Sequence, residues 1–265
     1  MPRSTKKSTR VRKTPSQAQP QMVMMQPAQN KSQTLLVILL IVISFFSGYL
    51  FFKLKSLEGG AGVGAGAGQP QAPRPATEVK AGKPDLNKEH VRGTKDAKIA
   101  WIEYSDLECP FCKSIHPNLV KLMQNYSGKV TWIYRHYPLS FHQNAQKEAE
   151  ATECAAEQGG NDAFWKLVDA IYDKTTSNGT GFALDKLGPL ATEQGLNTAQ
   201  FQDCLDSNKY AQKVKDELTL GQKEGVQATP TSVIYNLQTG KMKTVEGALP
   251  YDQLKAALDQ ALSGQ

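Results

Sequence analysis

The sequence of 265 residues is poor in cysteine and histidine, with four of each, and it contains one long apolar run. Four cysteines are too few for a disulfide-dense mini-scaffold, and a single apolar run excludes a transporter with many spans. Residues 1–57 contain no acidic residue and nine lysines and arginines. The other 208 residues carry 22 basic and 25 acidic side chains, so the net charge of +6 belongs to the N-terminal tail. The body of the chain has no basic excess for nucleic acid, and we expect no nucleic-acid partner.

Two segments at the N-terminus differ sharply in composition. Residues 1–33 combine Ser, Gln, Pro, Met and basic residues without hydrophobic periodicity, which predicts a disordered tail. Residues 34–52 are nineteen residues without a charge, a length of about 28 Å as a helix, which predicts one transmembrane helix. Seven basic residues before this run, against Lys53 and Lys55 after it, predict that the N-terminus is cytoplasmic.

The sequence thus predicts a single-pass protein of the cell membrane, whose catalytic domain is extracytoplasmic. A cleaved signal peptide is the alternative, although the apolar run is long for one and 33 residues precede it. Residues 53–89 are rich in Gly, Ala and Pro without apolar periodicity, so we expect a linker. Residues 90–265 are long enough for one domain with a hydrophobic core.

One CxxC pair, Cys109 and Cys112, follows a segment that has the pattern of a buried strand. Residues 97–104 are apolar and rich in β-forming residues. From Phe111 onward apolar residues recur at helical spacing, and Pro110 suits a first helical turn. At such a strand-to-helix junction the helix dipole favours a thiolate on Cys109 and lowers its pKa. One helical turn brings the two sulfurs together, so Cys112 can resolve a mixed disulfide on Cys109.

Half a zinc site and an inert disulfide are the alternative interpretations of this pair. Zinc requires two more ligands, usually from a second CxxC or a paired-histidine motif. Cys154 and Cys204 stand alone in the sequence, and the four histidines form no such motif. We therefore predict redox chemistry at the pair, without a metal or another cofactor.

The order of strand, CxxC and helix resembles the thioredoxin superfamily. Members of that family carry a buried acid six residues before the first cysteine that relays protons for the second, which implies this role for Glu103. The segment GVQATPT, followed by SVIY, resembles the family's cis-proline loop, which lies against the CxxC. The resemblance implies a cis peptide bond before Pro230, and substrate contacts from Thr229, Pro230, Pro110 and Phe111.

A long helical region indicates which branch of the thioredoxin superfamily the sequence resembles. Residues 131–137 have the pattern of a second strand, and 91 residues lie between Pro138 and Pro230. This region is predicted to be helical almost throughout, with segments at 145–158, 162–173, 198–205 and 210–224. A helical insert, here at about 142–222, is the architecture of DsbA-like oxidoreductases, and DLECPFC and YRHYPL resemble their membrane-anchored bacterial branch. The predicted fold class is therefore α/β, a thioredoxin fold with an inserted helical domain after one transmembrane helix.

This resemblance implies a protein-disulfide oxidoreductase. Its expected substrates are exported proteins with free thiols or disulfides, and its expected partner is a further redox protein that recycles the pair. Introduction of disulfides is the favoured direction. A reductase or isomerase of the same fold and a non-catalytic binding module are the alternatives.

The two remaining cysteines are predicted to form a structural disulfide. Exported thiols in an oxidising compartment tend to pair, which favours a bond between Cys154 and Cys204. Two buried, reduced cysteines are the alternative.

Overall fold

The computed structural model describes residues 39–41, 78–178 and 181–264. The chain divides into two compact units, Met1–Pro70 and Gln71–Gln265. The predicted tail of residues 1–33 lies outside the described residues, and so does the predicted span of 34–52, except for the three helical residues 39–41. Among the residues that are described, no helix combines the length and the apolar character needed to cross a membrane.

In the described part of the second unit, five strands form one sheet. The strands are β1 (His90–Gly93), β2 (Ile99–Ser105), β3 (Val130–His136), β4 (Thr231–Asn236) and β5 (Met242–Glu246), in the spatial order β1-β3-β2-β4-β5. β2 and β3 are parallel, whereas the other neighbours are antiparallel. β2 and β3 are buried along their whole length, as their apolar sequences predict. Alternate residues of β2 enter two hydrophobic clusters, one on each face of the sheet.

Helices connect and cover these strands. They are α1 (Pro110–Asn125), α2 (Ala145–Lys174), α3 (Leu187–Glu193), α4 (Thr198–Asp206), α5 (Ala211–Glu224) and α6 (Tyr251–Leu262), with a short 3-10 helix at Leu184–Lys186. Helix α1 follows β2, and α6 follows β5. The consecutive helices α2 to α5 lie between β3 and β4, which confirms the predicted helical insertion in a thioredoxin fold.

Helix α2 joins two segments that the sequence analysis separated. Gly160 interrupts it with a φ of 65° and a ψ of −155°, a conformation that is closed to almost every residue with a side chain. The break falls between the two helical segments predicted there. After it, Trp165 packs 4.7 Å from Trp132 of β3, measured between ring centroids, so the second half of α2 lies on the sheet.

The packed chain begins before residue 90, where the sequence analysis placed the domain boundary. Val79 and Ala81 are buried, and the Val79 N–H donates a hydrogen bond to Thr244 Oγ1 of β5 at 3.0 Å. The predicted linker at 53–89 is therefore too long at its C-terminal end. Val79 and Ala81 are isolated apolar residues in this segment, so they show no hydrophobic periodicity. The sequence analysis therefore did not predict their burial.

A disulfide bond joins Cys154 of α2 to Cys204 of α4, which confirms the predicted pair. Both cysteines belong to the larger hydrophobic cluster, together with residues of the sheet and of α1. The bond therefore links two helices of the insertion inside the core that the insertion shares with the sheet.

Candidate active site

The CxxC pair lies where β2 leads into α1. Cys109 directly precedes the helix in an extended conformation, with a φ of −75° and a ψ of 123°, and Pro110 occupies the first helical turn. Cys112 follows in the same turn. Both thiols are free, and the exposed fraction is 3% for Cys109 and 0% for Cys112. Cys109 is therefore the more accessible of the two sulfurs.

The two thiols have opposite pKa shifts. The pKa of Cys109 is lowered to about 6, first by a hydrogen bond with the Cys112 side chain and further by backbone N–H groups of Cys112 and Phe111. These N–H groups belong to the helix N-terminus, which has no intrahelical acceptor for them. Burial raises the pKa of Cys112 well above that of an ordinary thiol, and the neighbouring Cys109 adds to the effect. At neutral pH the pair therefore holds its negative charge on Cys109.

The loop before β4 lies against Cys109. The peptide bond between Thr229 and Pro230 is cis, as predicted. Cys109 Sγ donates a hydrogen bond to the Thr229 carbonyl oxygen at 3.5 Å. Both loop residues are buried, and Thr229 Oγ1 has no hydrogen-bond partner among the described residues. The structure thus brings together the two motifs that lie 120 residues apart in the sequence.

Two phenylalanine side chains of the described residues are largely exposed to solvent. Phe111 lies between the two cysteines and is 62% exposed, while Pro110 beside it is partly exposed. Phe141, in the loop after β3, is 70% exposed. A cavity of about 420 Å³ lies beside that loop and extends to Gln227, two residues before Thr229. The sequence analysis missed Phe141, because a phenylalanine in a short loop is indistinguishable from a buried one by pattern.

Glu103 is fully buried on β2, six residues before Cys109. Its Oε1 accepts a hydrogen bond from Ser105 Oγ at 2.8 Å, and its Oε2 accepts one from Trp132 Nε1 at 2.9 Å. Burial raises the pKa of Glu103 to about 7, against the lowering effect of the two hydrogen bonds. The carboxyl group can therefore gain or lose a proton close to neutral pH, as proton exchange with Cys112 would require.

Ser105 and Tyr172 are polar residues near the pair that the sequence analysis did not single out. Ser105 Oγ lies 2.8 Å from the Tyr172 hydroxyl, and both residues are buried. Ser105 follows Glu103 by two positions on a strand, a spacing that places both side chains on one face and could have identified it. Tyr172 belongs to α2, where its helical spacing indicates only an apolar core position.

The fold matches that of known proteins. A family described as Thioredoxin matches residues 85–260. The crystal structure of Pseudomonas aeruginosa DsbA2 superposes with a TM-score of 0.58 at 32% sequence identity, covering 67% of this chain and 97% of that one. The chain therefore belongs to the thioredoxin family. Within it, the chain is similar to the DsbA-like proteins, as the sequence motifs predicted.

Two curated relatives show how far this similarity extends. The disulfide bond formation protein D of Bacillus subtilis (strain 168) is 23% identical over 188 residues, which cover 70% of this chain and 82% of that protein. The Na(+)/H(+) antiporter NhaA 3 of Salinispora tropica is 32% identical over 153 residues, which cover 56% of this chain. The match spans only 22% of the antiporter's length, so the antiporter's name supplies no activity for this chain.

Proposed function

We propose that this protein is a membrane-tethered thiol–disulfide oxidoreductase that introduces disulfides into exported proteins. The observation that carries the proposal is the asymmetry of the CxxC pair, with a stabilised thiolate at Cys109 and a buried thiol at Cys112. A site that stabilises the thiolate favours the reduced enzyme, and its disulfide is a correspondingly stronger oxidant.

The proposed exchange begins with a disulfide between Cys109 and Cys112. A substrate thiolate attacks Cys109 Sγ and forms a mixed disulfide, while the broken bond leaves its electron pair on Cys112, which takes up a proton. A second substrate thiolate then attacks the substrate sulfur and releases Cys109 as a thiolate. The substrate loses two electrons and gains a disulfide, and a redox partner removes the electrons from the reduced pair.

The proposed substrate contacts surround the more accessible sulfur. Thr229 and Pro230 present backbone beside Cys109, where an extended peptide could pair with it. The exposed ring of Phe111, next to Pro110, offers an apolar contact to an unfolded chain. These four residues are therefore proposed to hold the substrate cysteine over Cys109.

The reduction potential of the full-length chain tests the direction of exchange. Equilibration with glutathione should give a value between about −270 mV, typical of thioredoxin, and about −120 mV, typical of DsbA. The reason is that a pKa of about 6 for Cys109 lies between about 7 and about 3.5 for the corresponding cysteines of those proteins. A value more negative than that of thioredoxin would indicate a reductase instead. Cys109→Ser, which lacks an exchangeable pair, is the control.

The proposed tether is residues 34–52, with the N-terminus in the cytoplasm and the thioredoxin-fold domain outside. It would keep the enzyme among exported substrates, and seven basic residues before the run support this orientation. Protease should degrade the domain when it is added to cells whose outer envelope has been removed and whose cytoplasmic membrane is unbroken. In cell fractionation the protein should sediment with the membranes. Recovery of the domain in the cytosolic fraction would contradict the tether.

A further inference from the structure

The hydroxyl groups of Ser105 and Tyr172 are hydrogen-bonded to each other in the protein interior, next to Glu103. Ser105 Oγ lies 2.8 Å from Glu103 Oε1 and also 2.8 Å from the Tyr172 hydroxyl oxygen. We propose that the Ser105 hydroxyl passes protons between Cys112 and Glu103, and that Tyr172 is the positioning residue that orients this hydroxyl. The inference rests on the proposed thiol–disulfide exchange and extends it to residues outside the CxxC motif.

Cys112 needs such a path because it is fully buried. When a substrate attacks Cys109, Cys112 leaves as a thiolate in a site that disfavours charge, so a proton must reach it as the bond breaks. Glu103 is the nearby acid that titrates close to neutral pH. The Ser105 side chain acts on both groups, because hydrogen bonding to it lowers the pKa of Glu103 and that of Cys112 against the raising effect of burial.

The proton moves in two coupled transfers. A serine hydroxyl has one proton to donate and two lone pairs to accept others. Ser105 gives its proton to the Cys112 thiolate and receives one from protonated Glu103, so that Cys112 becomes a thiol and Glu103 a carboxylate. The hydroxyl is restored unchanged. During reoxidation the proton returns by the same route, from Cys112 through Ser105 to Glu103.

Tyr172 fixes the rotation of the Ser105 hydroxyl from the opposite side. Its own hydroxyl lies 3.1 Å from that of Tyr134 and has the Asp106 carbonyl as an acceptor at 3.3 Å. Burial raises the pKa of Tyr134 and of Tyr172 well above that of an ordinary tyrosine, so both keep their protons. Because Tyr172 belongs to α2, the helical insertion contributes directly to the chemistry of the pair.

Other charges act on this path from several elements. Titratable or charged groups that influence the proton on Glu103, Cys112 or the two tyrosines include Arg92 of β1, Glu103 of β2, Cys109 and Cys112 at the start of α1, Tyr134 of β3 and Tyr172 of α2. His116 of α1 also packs against this group, with its ring centroid 4.6 Å from that of Tyr172. Arg92 lowers the pKa of Glu103, whereas a thiolate on Cys109 raises it. The protonation of Glu103 therefore follows the redox state of the pair.

The test uses the full-length chain with its CxxC pair reduced and the Cys154–Cys204 disulfide intact. A chromogenic aromatic disulfide releases one thiol when Cys109 attacks it and a second when Cys112 resolves the mixed disulfide. Ser105→Ala should slow the second release by about tenfold and leave the first unchanged, because only the second step involves the Cys112 proton. Tyr172→Phe should slow the same step by a smaller factor.

The pH profile of the second release separates a proton path from a merely structural role. In the wild type the profile should change near pH 7, where Glu103 titrates. In Ser105→Ala this change should move to higher pH, since the lost hydrogen bond had lowered the pKa of Glu103. Ser105→Thr, which keeps a hydroxyl at the same position, should restore both the rate and the profile.

The matched control is Tyr104→Phe. Tyr104 lies between Glu103 and Ser105 on β2, but its side chain faces the other side of the sheet, where its buried hydroxyl accepts a hydrogen bond from Arg135 at 2.8 Å. Loss of this hydroxyl should reduce stability and leave both releases and their pH profiles unchanged. The control thus separates loss of a buried hydroxyl from loss of the path.

Each result decides one proposal. If the second release has the same rate and pH profile in Ser105→Ala and Tyr172→Phe as in the wild type, the proton path is wrong while the exchange reaction stands. If the wild type shows no second release, the proposed exchange itself fails, and the path fails with it. Tyr172→Phe removes one oxygen atom only and serves as the test if Ser105→Ala does not fold.

Discussion

The two thiols of the CxxC pair differ in how readily they lose a proton, and this difference sets which of them reacts. Cys109 should be alkylated by iodoacetamide at least tenfold faster than Cys112 at pH 6.5, with a midpoint near pH 6, because only its pKa is lowered. Mass spectrometry of the modified peptides measures both rates. Cys112→Ala should move the midpoint to higher pH, since it removes the largest cause of the lowered pKa. Equal rates at the two cysteines would contradict the assignment.

Glu103 lowers the stability of the fold whenever it is ionised. Its pKa rises from an ordinary 4.5 to about 7 on folding because of burial, so the native state binds the proton more tightly than the unfolded chain. The resulting stabilisation is complete below pH 4.5 and is lost as the pH rises through 7. The wild type should lose about 3 kcal/mol of its free energy of unfolding between pH 4 and pH 8. The Glu103→Gln variant cannot ionise at this position and should not show this loss. Urea denaturation of both proteins at the two pH values measures this difference, and parallel losses would show that folding does not raise the pKa of Glu103.

Local pattern predicted the residues of the site that are close in sequence or belong to a motif. Cys109, Cys112 and Glu103 lie on one strand-to-helix segment, so their proximity follows from the secondary structure alone. Ser105 and Tyr172 are 67 residues apart, and their contact depends on how α2 packs against the sheet. A tyrosine at helical spacing looks like a core residue, because nothing in the pattern shows where its hydroxyl finds a partner.

At the scale of whole elements, the buried strands and most of the longer helices were predicted, whereas α6 and the edge strands were not. β2 and β3 are largely apolar and buried throughout, and the helices α4 and α5 end within one residue of the predicted limits. Among the described strands, β1 and β5 each pair with one neighbour; β1 is only four residues long, and β5 carries the exposed charged residues Lys243 and Glu246. Such strands form because a partner supplies the hydrogen bonds, so their own sequences carry little hydrophobic signal.

The backbone conformation of Gly160, at the break in α2, can be tested by substitution. Its φ of 65° and ψ of −155° are open to glycine alone, although a Cβ there would meet no atom within 4 Å. Gly160→Ala should therefore cost about 1–3 kcal/mol through backbone strain without any clash. Gly188→Ala in α3 is the control, because Gly188 has no positive φ, a flexible Gln202 is the nearest side chain, and alanine favours a helix. Equal unfolding free energies for Gly160→Ala and the wild type would show that α2 tolerates a continuous helix.

The insertion and the thioredoxin sheet share one hydrophobic core in the second unit of the molecule. The larger cluster contains Trp132 of the sheet, Leu119 of α1 and Phe164 of α2, all fully buried. The Arg92 guanidinium of β1 also pairs with Asp169 of α2 at 2.7 Å. The sequence analysis expected one core for residues 90–265, but contacts between segments far apart in the chain leave no periodic signal that could place the insertion against the sheet. The shared core lets α2 hold Tyr172 in place beside the active site.

The last prediction concerns the disulfide between Cys154 and Cys204, which lies in this shared core. The bond joins residues 50 positions apart, and removing such a cross-link from a buried site should cost about 4 kcal/mol by the chain-entropy argument. In the double variant Cys154→Ala/Cys204→Ala, urea denaturation should show this loss. The midpoint of Cys109 alkylation should stay near pH 6, because the groups that lower this pKa belong to the CxxC turn and to Thr229, not to the helices that the bond joins. A shifted midpoint in the folded variant would mean that the bond tunes the redox pair from a distance, and that its role extends beyond stability.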